Sequence, residues 1–595
     1  QLLTLPLQRA NSALREVAVP NSNGLSIGIL VRPVSMANPD AGLPSNTRAV
    51  SVFLINRRTP MPDERRDEGY AFQASLSIAG QIGFVPKPDL RSIDSNDEDE
   101  LLADLQYRDA RELASGHNVA THAESRFSIA TRWIPSAEIE RVEPGELAGE
   151  FQMDALAGIT SYEEARVKLV PIVESYRAWI TAQRGQIPDS PQRRKDTAEA
   201  LLGQAEYMAG RMERGIAVLE DDTCREAFCL ANGAMAAAAR QRLGVMRGLD
   251  PAGVQPRWRP FQLAFLLLNL EGIAEPASTG REVVDLLFFP TGGGKTEAYL
   301  GLAAFTLLQR RMRNPGVAGA GLSVLMRYTL RLLTLDQLGR ASTLICALEL
   351  LRRKQPERLG TWPFEIGLWV GSAATPNIMG SKDKDYPDTA YRKTRNFQNK
   401  SSSPSPIPIE ECPWCGRKFS TSSFRLWPNP DFPVELRVRC ADFECVFSRD
   451  LDLPIIAVDE QIYRRLPCFV IATVDKFAAL PWTGNVGALF GRVERHDKDG
   501  FYGPADPRTY GTPLAQRGLP PPDLIIQDEL HLISGPLGTI AGLYETAIEN
   551  LCTREVDGKT IRPKIVASTA TVRRATDQIR ALFNRMETDV FPPPG

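Results

Sequence analysis

The sequence predicts an α/β fold in which a parallel sheet, with helices on both faces, is built around a phosphate-binding loop. Three observations predict it. Residues 283–300, Val283-Val-Asp-Leu-Leu-Phe-Phe-Pro-Thr-Gly-Gly-Gly-Lys-Thr-Glu-Ala-Tyr-Leu300, run from an apolar strand through three glycines into a stretch of helix formers. Apolar runs of strand length near 284–289, 322–327, 364–370, 468–473, 523–528 and 564–568 alternate with helical stretches, as a doubly wound sheet requires. One of those runs ends on an acidic pair, Asp528-Glu529.

Taken in chain order, residues 1–155 read as a β-rich domain. Leu25–Val31, Arg48–Ile55 and Tyr70–Ile78 are strand-length apolar or alternating runs separated by Pro, Gly, Asn and Asp. The acidic run from Asp94 to Glu100 reads as a solvated loop or a helix start. His117 and His122 are five residues apart, which puts them on different sides of a helix, so they are not read as a metal pair.

Residues 156–250 read as a helical domain. Ser161-Tyr-Glu-Glu164 is a capping box that opens a helix through Trp179, and further helices are expected over 195–219 and 223–245. No catalytic constellation is visible there, and the segment reads as a connector or docking module.

Residues 251–595 carry the α/β pattern. The glycines Gly292, Gly293 and Gly294, with Thr291 ahead of them, let backbone N–H groups turn toward phosphates at a helix N-terminus. Lys295 would reach the β- and γ-phosphates of ATP, and Thr296 would place a hydroxyl on Mg²⁺. Phe289 stands where such loops usually open with Gly or Ala. Asp528 supplies a second Mg²⁺ contact and Glu529 is placed to polarise the attacking water. A rival pair, Asp459-Glu460, reads as a surface turn.

The interval 374–455 is too long for a βα connection and reads as an insertion. It holds Cys412-Pro-Trp-Cys415 and Cys440-Ala-Asp-Phe-Glu-Cys445, with intervals of two, 24 and four residues, close to the spacing of a four-cysteine zinc ribbon. A structural Zn²⁺ is expected on Cys412, Cys415, Cys440 and Cys445. The basic, aromatic segment Tyr391–Lys400 in the same insertion is a candidate phosphate-backbone contact, or a solvated loop. The other cysteines, Cys224, Cys229, Cys346, Cys468 and Cys552, sit in apolar or helical contexts and read as buried thiols of a reducing cytoplasm.

A net charge of −2 excludes a uniformly basic nucleic-acid coat, so any such contact must be local. No apolar run approaches the roughly 20 residues of a membrane helix. The start without Met and the Pro-rich end suggest part of a longer chain, with no secretory signal and no second α/β set after Thr571.

Asp528-Glu-Leu-His531 brings in a resemblance. With Trp258-Arg-Pro-Phe-Gln262, Arg327–Gln337, Ala472–Phe477 and Ser568-Thr-Ala-Thr571 in this order, the chain resembles the first, RecA-like, motor lobe of superfamily 2 helicases. The resemblance implies that Gln262 and Arg259 read the adenine of ATP. It implies further that Arg331, Thr473, Asp475 and Lys476 touch the DNA strand, and that His531, Ser568, Thr569 and Thr571 couple hydrolysis to that contact. The second RecA-like lobe, with its arginines, is not in this chain. Residues 290–300, 453–465 and 525–536 look more narrowly like the DrmA family of the bacterial DISARM anti-phage defence system. That likeness covers about half the chain, and it implies an ATP-dependent DNA helicase or translocase, DNA with a single-stranded region as substrate, and a DrmB-like partner protein. The alternative expectation is a nucleotide-gated DNA clamp that does not unwind processively; a third is a scaffold whose phosphate loop is purely structural.

Overall fold

In the computed structural model the described residues are 3–4, 13–34, 43–44, 46–88, 95–139, 147–289, 293–328, 331–372, 374–400, 402–478, 480–569 and 575–592, with the side chains of 331–336, 475 and 536 left aside. The chain divides into two compact units, Gln1–Glu143 and Pro144–Gly595.

The first unit contains two three-stranded antiparallel sheets. One pairs Arg15–Ala18, Leu25–Pro33 and Arg48–Asn56, and the other Ser77–Ala79, Ser128–Arg132 and Ala120–Ser125. Ile27, Ile29 and Val31 point to one face and make a small core, as a period of two requires. Of the expected strand over Tyr70–Ile78 only its end is strand, continuing to Ala79. The acidic run does open a helix, Glu98–Gln106, whose first turn Asp97 caps by accepting from the Asp99 and Glu100 amides. His122 lies on a strand, so the helical argument about the His117–His122 pair does not apply to this segment.

The second unit is α/β. Its sheet has eight strands in the order Ile455–Ile456, Ile366–Trp369, Phe469–Thr473, Val324–Tyr328, Leu524–Gln527, Lys564–Thr569, Val284–Phe288 and Thr588–Phe591. Every neighbouring pair is parallel. Alternate residues of each strand enter different cores: Leu287, Val324, Met326, Ile471 and Ile526 one, Leu286, Leu325, Val470, Ile525 and Ile565 the other. Both faces are therefore covered, which is why these strands read as unbroken apolar runs. Two strands escaped that reading. Ile455–Ile456 is only two residues long, and Thr588–Phe591 is an edge strand of mixed polarity.

The three long helices Tyr162–Arg184, Gln192–Ala217 and Asp222–Arg247 match the expected helical stretch, and Ser161 accepts from the Glu164 amide as its capping box predicts. They pack into the same core as Pro260–Ala274 and the helices after the first two apolar strands. A buried ion network fastens the second of them, Gln192–Ala217, to the sheet. Arg211 reaches Asp285 at 2.5 Å and Asp589 at 2.6 Å, and Lys564 reaches Asp285 at 2.6 Å. Burial pushes the Asp285 carboxyl up, but Arg211 and Lys564 hold it below the ordinary range.

A second network anchors the N-terminal end of the sheet. Burial pushes Asp523 up, while Arg554, Arg310 and Arg281 pull it down to about 2. Because the folded pKa lies below the unfolded one, this stabilisation is complete above the ordinary aspartate pKa of about 4 and is lost as pH falls toward 2. Its size is about 2 kcal/mol. Asp523→Asn should therefore be less stable than wild type at pH 7, and the gap should close on acidification from about pH 4, as denaturant melts at a series of pH values would read.

The interval 374–455 holds a helix, Ala390–Asn399, and an antiparallel hairpin, Phe424–Pro428 with Pro433–Val438. Asp459 is not on a surface turn. It is buried at the start of the Asp459–Arg465 helix with Lys476 Nζ at 2.5 Å, and burial pushes its pKa up to about 6 against the pull of that ammonium.

Candidate active site

The C-terminal edge of the sheet gathers several of the residues singled out above. Val284–Phe288 leads toward the glycine loop, Leu524–Gln527 leads into Asp528 two strands away, and Lys564–Thr569 lies between them. Crevices beyond the carboxyl ends of parallel strands are where such sheets bind ligands.

Gly294 ends the loop at a φ of +95°, and a Cβ there would stand 2.8 Å from Gln262 Nε2. Both its conformation and its neighbour demand glycine. Gln262 donates to the Gly294 carbonyl at 2.7 Å and accepts from the Arg259 amide at 2.8 Å, while Arg259 donates to the Gly293 carbonyl. The expected base-reading pair is thus fastened to the loop. Thr291 and Gly292 lie outside the described residues.

Lys295 and Thr296 begin the helix Lys295–Arg313, and both are buried. The Lys295 ammonium has no hydrogen-bond partner among the described residues. The Tyr299 hydroxyl stands 3.3 Å from Thr296 Oγ1 and donates to Asp528 Oδ2 at 2.9 Å. Burial, with the Asp528 carboxylate beside it, raises the Tyr299 phenol far above its ordinary pKa, so the hydroxyl stays a donor. Ser568 Oγ donates to Asp528 Oδ1, and the Glu529 amide donates to the same oxygen at 3.0 Å.

Glu529 has a left-handed backbone, φ 49°, unusual for a residue with a side chain. Its Oε2 is 3.4 Å from His531 Nδ1, which is 3.3 Å from Thr569 Oγ1. Lys295, Thr296, Asp528 and Glu529 share one cavity of about 570 Å³.

The remaining candidates are more dispersed. Thr473 ends its strand with a buried hydroxyl that has no partner among the described residues. Lys476 is buried and directs its ammonium to Asp459 and Asn377. The side chains of Arg331 and Asp475, and all of Thr571, lie outside the described residues.

The ligand atoms of Cys412, Cys415, Cys440 and Cys445 all lie within 4.8 Å of one another. That spacing is compatible with zinc–sulfur bonds of about 2.3 Å in a tetrahedron, and four ionised thiolates so close would need a cation between them. The set fits a closed, structural site. The five other cysteines are buried and unpaired.

Three residues at the cavity escaped the sequence reading. Tyr299 was within reach, since it lies three residues after Thr296 on the same helical face. Arg242 and Arg340, which pair with Glu297 at 2.8 and 3.0 Å, had no local signal.

No protein-family model matches the chain. It is 35% identical, over 586 residues, to the DISARM protein DrmA of Bacillus paralicheniformis (strain ATCC 9945a / NCIMB 11709 / CD-2), an alignment covering 92% of this chain and 50% of that protein. The chain spans about half the length of the curated relative it matches. The likeness thus extends beyond the three short stretches into the first 250 residues.

Proposed function

We propose, for a chain that is DrmA-like along 92% of its length, that it carries the first RecA-like lobe of an ATP-driven DNA helicase or translocase acting in DISARM anti-phage defence. The observation that carries this reading is the Tyr299 hydroxyl, which joins Thr296 to Asp528 and so holds the acidic pair against the phosphate loop. A loop with its ammonium and a pair of acids a few ångströms apart can grip one triphosphate from both ends.

In this reading Lys295 meets the phosphate oxygens, and Thr296 and Asp528 would hold Mg²⁺, which would supply positive charge at the transferred phosphoryl group. Glu529 orients the water for attack. Ser568 fixes the Asp528 carboxylate, and Thr569 reaches Glu529 through His531, so the strand between the two halves of the site feels the state of the water-orienting acid. Gln262 and Arg259 would exchange their loop carbonyls for the adenine ring. Thr473, at the C-terminal end of an interior strand of the same sheet, is assigned to single-stranded DNA by resemblance, as are Arg331, Asp475 and Lys476. Zn²⁺ on the four cysteines would staple the insertion, and a DrmB-like protein is the proposed partner. No helix among the described residues is long and apolar enough to cross a membrane.

ATP turnover of the full-length protein, measured in parallel without nucleic acid and with single-stranded DNA, duplex DNA and RNA, tests this. Stimulation by DNA is expected. Glu529→Gln should lower kcat by about 10²–10⁴-fold with little change in KM. Absence of turnover in every arm would remove the motor reading, while turnover without displacement of a labelled strand would favour the nucleotide-gated clamp.

A further inference from the structure

Two arginines outside every motif reach the candidate nucleotide cavity. Arg242 comes from the helix Asp222–Arg247 and Arg340 from Arg331–Lys354. Each places a guanidinium nitrogen on Glu297 Oε1, at 2.8 and 3.0 Å. Glu297 is the third residue of the helix that follows the loop, and its Oε2 lies 3.5 Å from where a Cβ on Gly294 would stand. The arginines therefore converge beside the end of the phosphate loop. The cavity carries five basic side chains against three carboxylates, an excess that suits an anion.

The same two helices meet the first cysteine turn. Thr343, three residues beyond Arg340, donates to the Pro413 carbonyl at 2.9 Å. Val245, three residues beyond Arg242, packs so tightly on Gly416 that a Cβ there would stand 2.5 Å from Val245 Cγ1. Residues three apart share a helical face. The turn Cys412–Gly416 thus braces both helices one turn from the arginines they carry.

We infer that Arg242 and Arg340 form a phosphate clamp supplied from within this chain, held by Glu297 in the absence of an anion and kept in register by the cysteine turn that would hold the metal. This rests on the nucleotide reading above. A carboxylate between two guanidiniums makes the contacts a phosphate oxygen would make, and the more highly charged triphosphate displaces it. Glu297 thereby sets a threshold, because an anion must outbid it for both arginines.

Displacement of a fluorescent ATP analogue from the full-length protein by ATP and by AMP tests the clamp. The double variant Arg242→Ala, Arg340→Ala should lose about tenfold or more in ATP affinity while AMP affinity stays nearly unchanged. Glu297→Gln should move the other way and bind ATP more tightly. Equal losses for ATP and AMP, unchanged ATP affinity in the double variant, or weaker binding by Glu297→Gln would each overturn the clamp alone. A wild type that binds no nucleotide would bring down the nucleotide reading and the clamp together. Stripping zinc with a chelator, followed with a metal indicator, should weaken ATP binding in wild type and add little in the double variant; an equal effect in both would overturn the bracing role.

Discussion

Lys295→Ala should lower DNA-stimulated ATP turnover of the full-length protein by about 10²-fold or more without unfolding it. The side chain is buried, and its ammonium finds no partner among the described residues. A buried ammonium with no partner among the described residues costs folding free energy, so removing it should leave the melting temperature unchanged or raise it. The two effects have opposite signs, which separates a functional loss from a structural one. That cost is tolerable only if an anion arrives to meet the charge, and the glycine loop, the helix N-terminus and Thr296 define where it would sit. Turnover assays beside thermal melts check both halves. Unchanged turnover would leave the lysine without a role.

Cys412→Ala should abolish zinc binding and open the interval 374–455 to protease, while the parallel sheet persists. Between Cys412 and Phe447, the stretch the cysteines enclose, the buried apolar side chains other than the cysteines are Phe424, Leu426, Leu436, Val438 and Phe447. Such a segment needs a staple, and structural zinc sites contribute on the order of 10 kcal/mol of binding free energy. The hairpin Phe424–Pro428 with Pro433–Val438 runs into Cys440, so losing one ligand frees the end of the hairpin as well as the turn. Metal analysis should find one zinc per wild-type chain and none in the variant, and limited proteolysis should cut first within 374–455. A variant that resists protease as wild type does would mean that packing alone holds the interval. Because the cysteine turn touches the helices bearing Arg242 and Arg340, weaker ATP binding is expected to accompany the metal loss.

Much of the site was legible in sequence because its parts are local. The strand, the glycines and the helix of residues 283–300 are consecutive, and each is specified by its own backbone preference. The cysteine spacing announced the four-cysteine cluster for the same reason, and the Ser161 cap lies three residues from the amide it serves. Runs such as Leu524–Gln527 stood out because a strand buried on both faces must be apolar throughout. Asp459 was misread for the converse reason. Its burial and its pairing with Lys476 depend on a contact between helices that no window of sequence contains.

The sequence alone therefore determined which segments could be strand, loop and helix, and which residue types could grip a phosphate or a metal. Tertiary structure decided which of them meet. Strand order in a parallel sheet follows from crossovers that span dozens of residues, so the placement of Lys564–Thr569 between the loop strand and the acid strand was not encoded in either. Tyr299 finds Asp528 across 229 residues, and Arg242 finds Glu297 across 55, because packing of whole helices on the sheet brings them there. Periodicity fixes which face of a helix is buried, and only the fold fixes what that face is buried against.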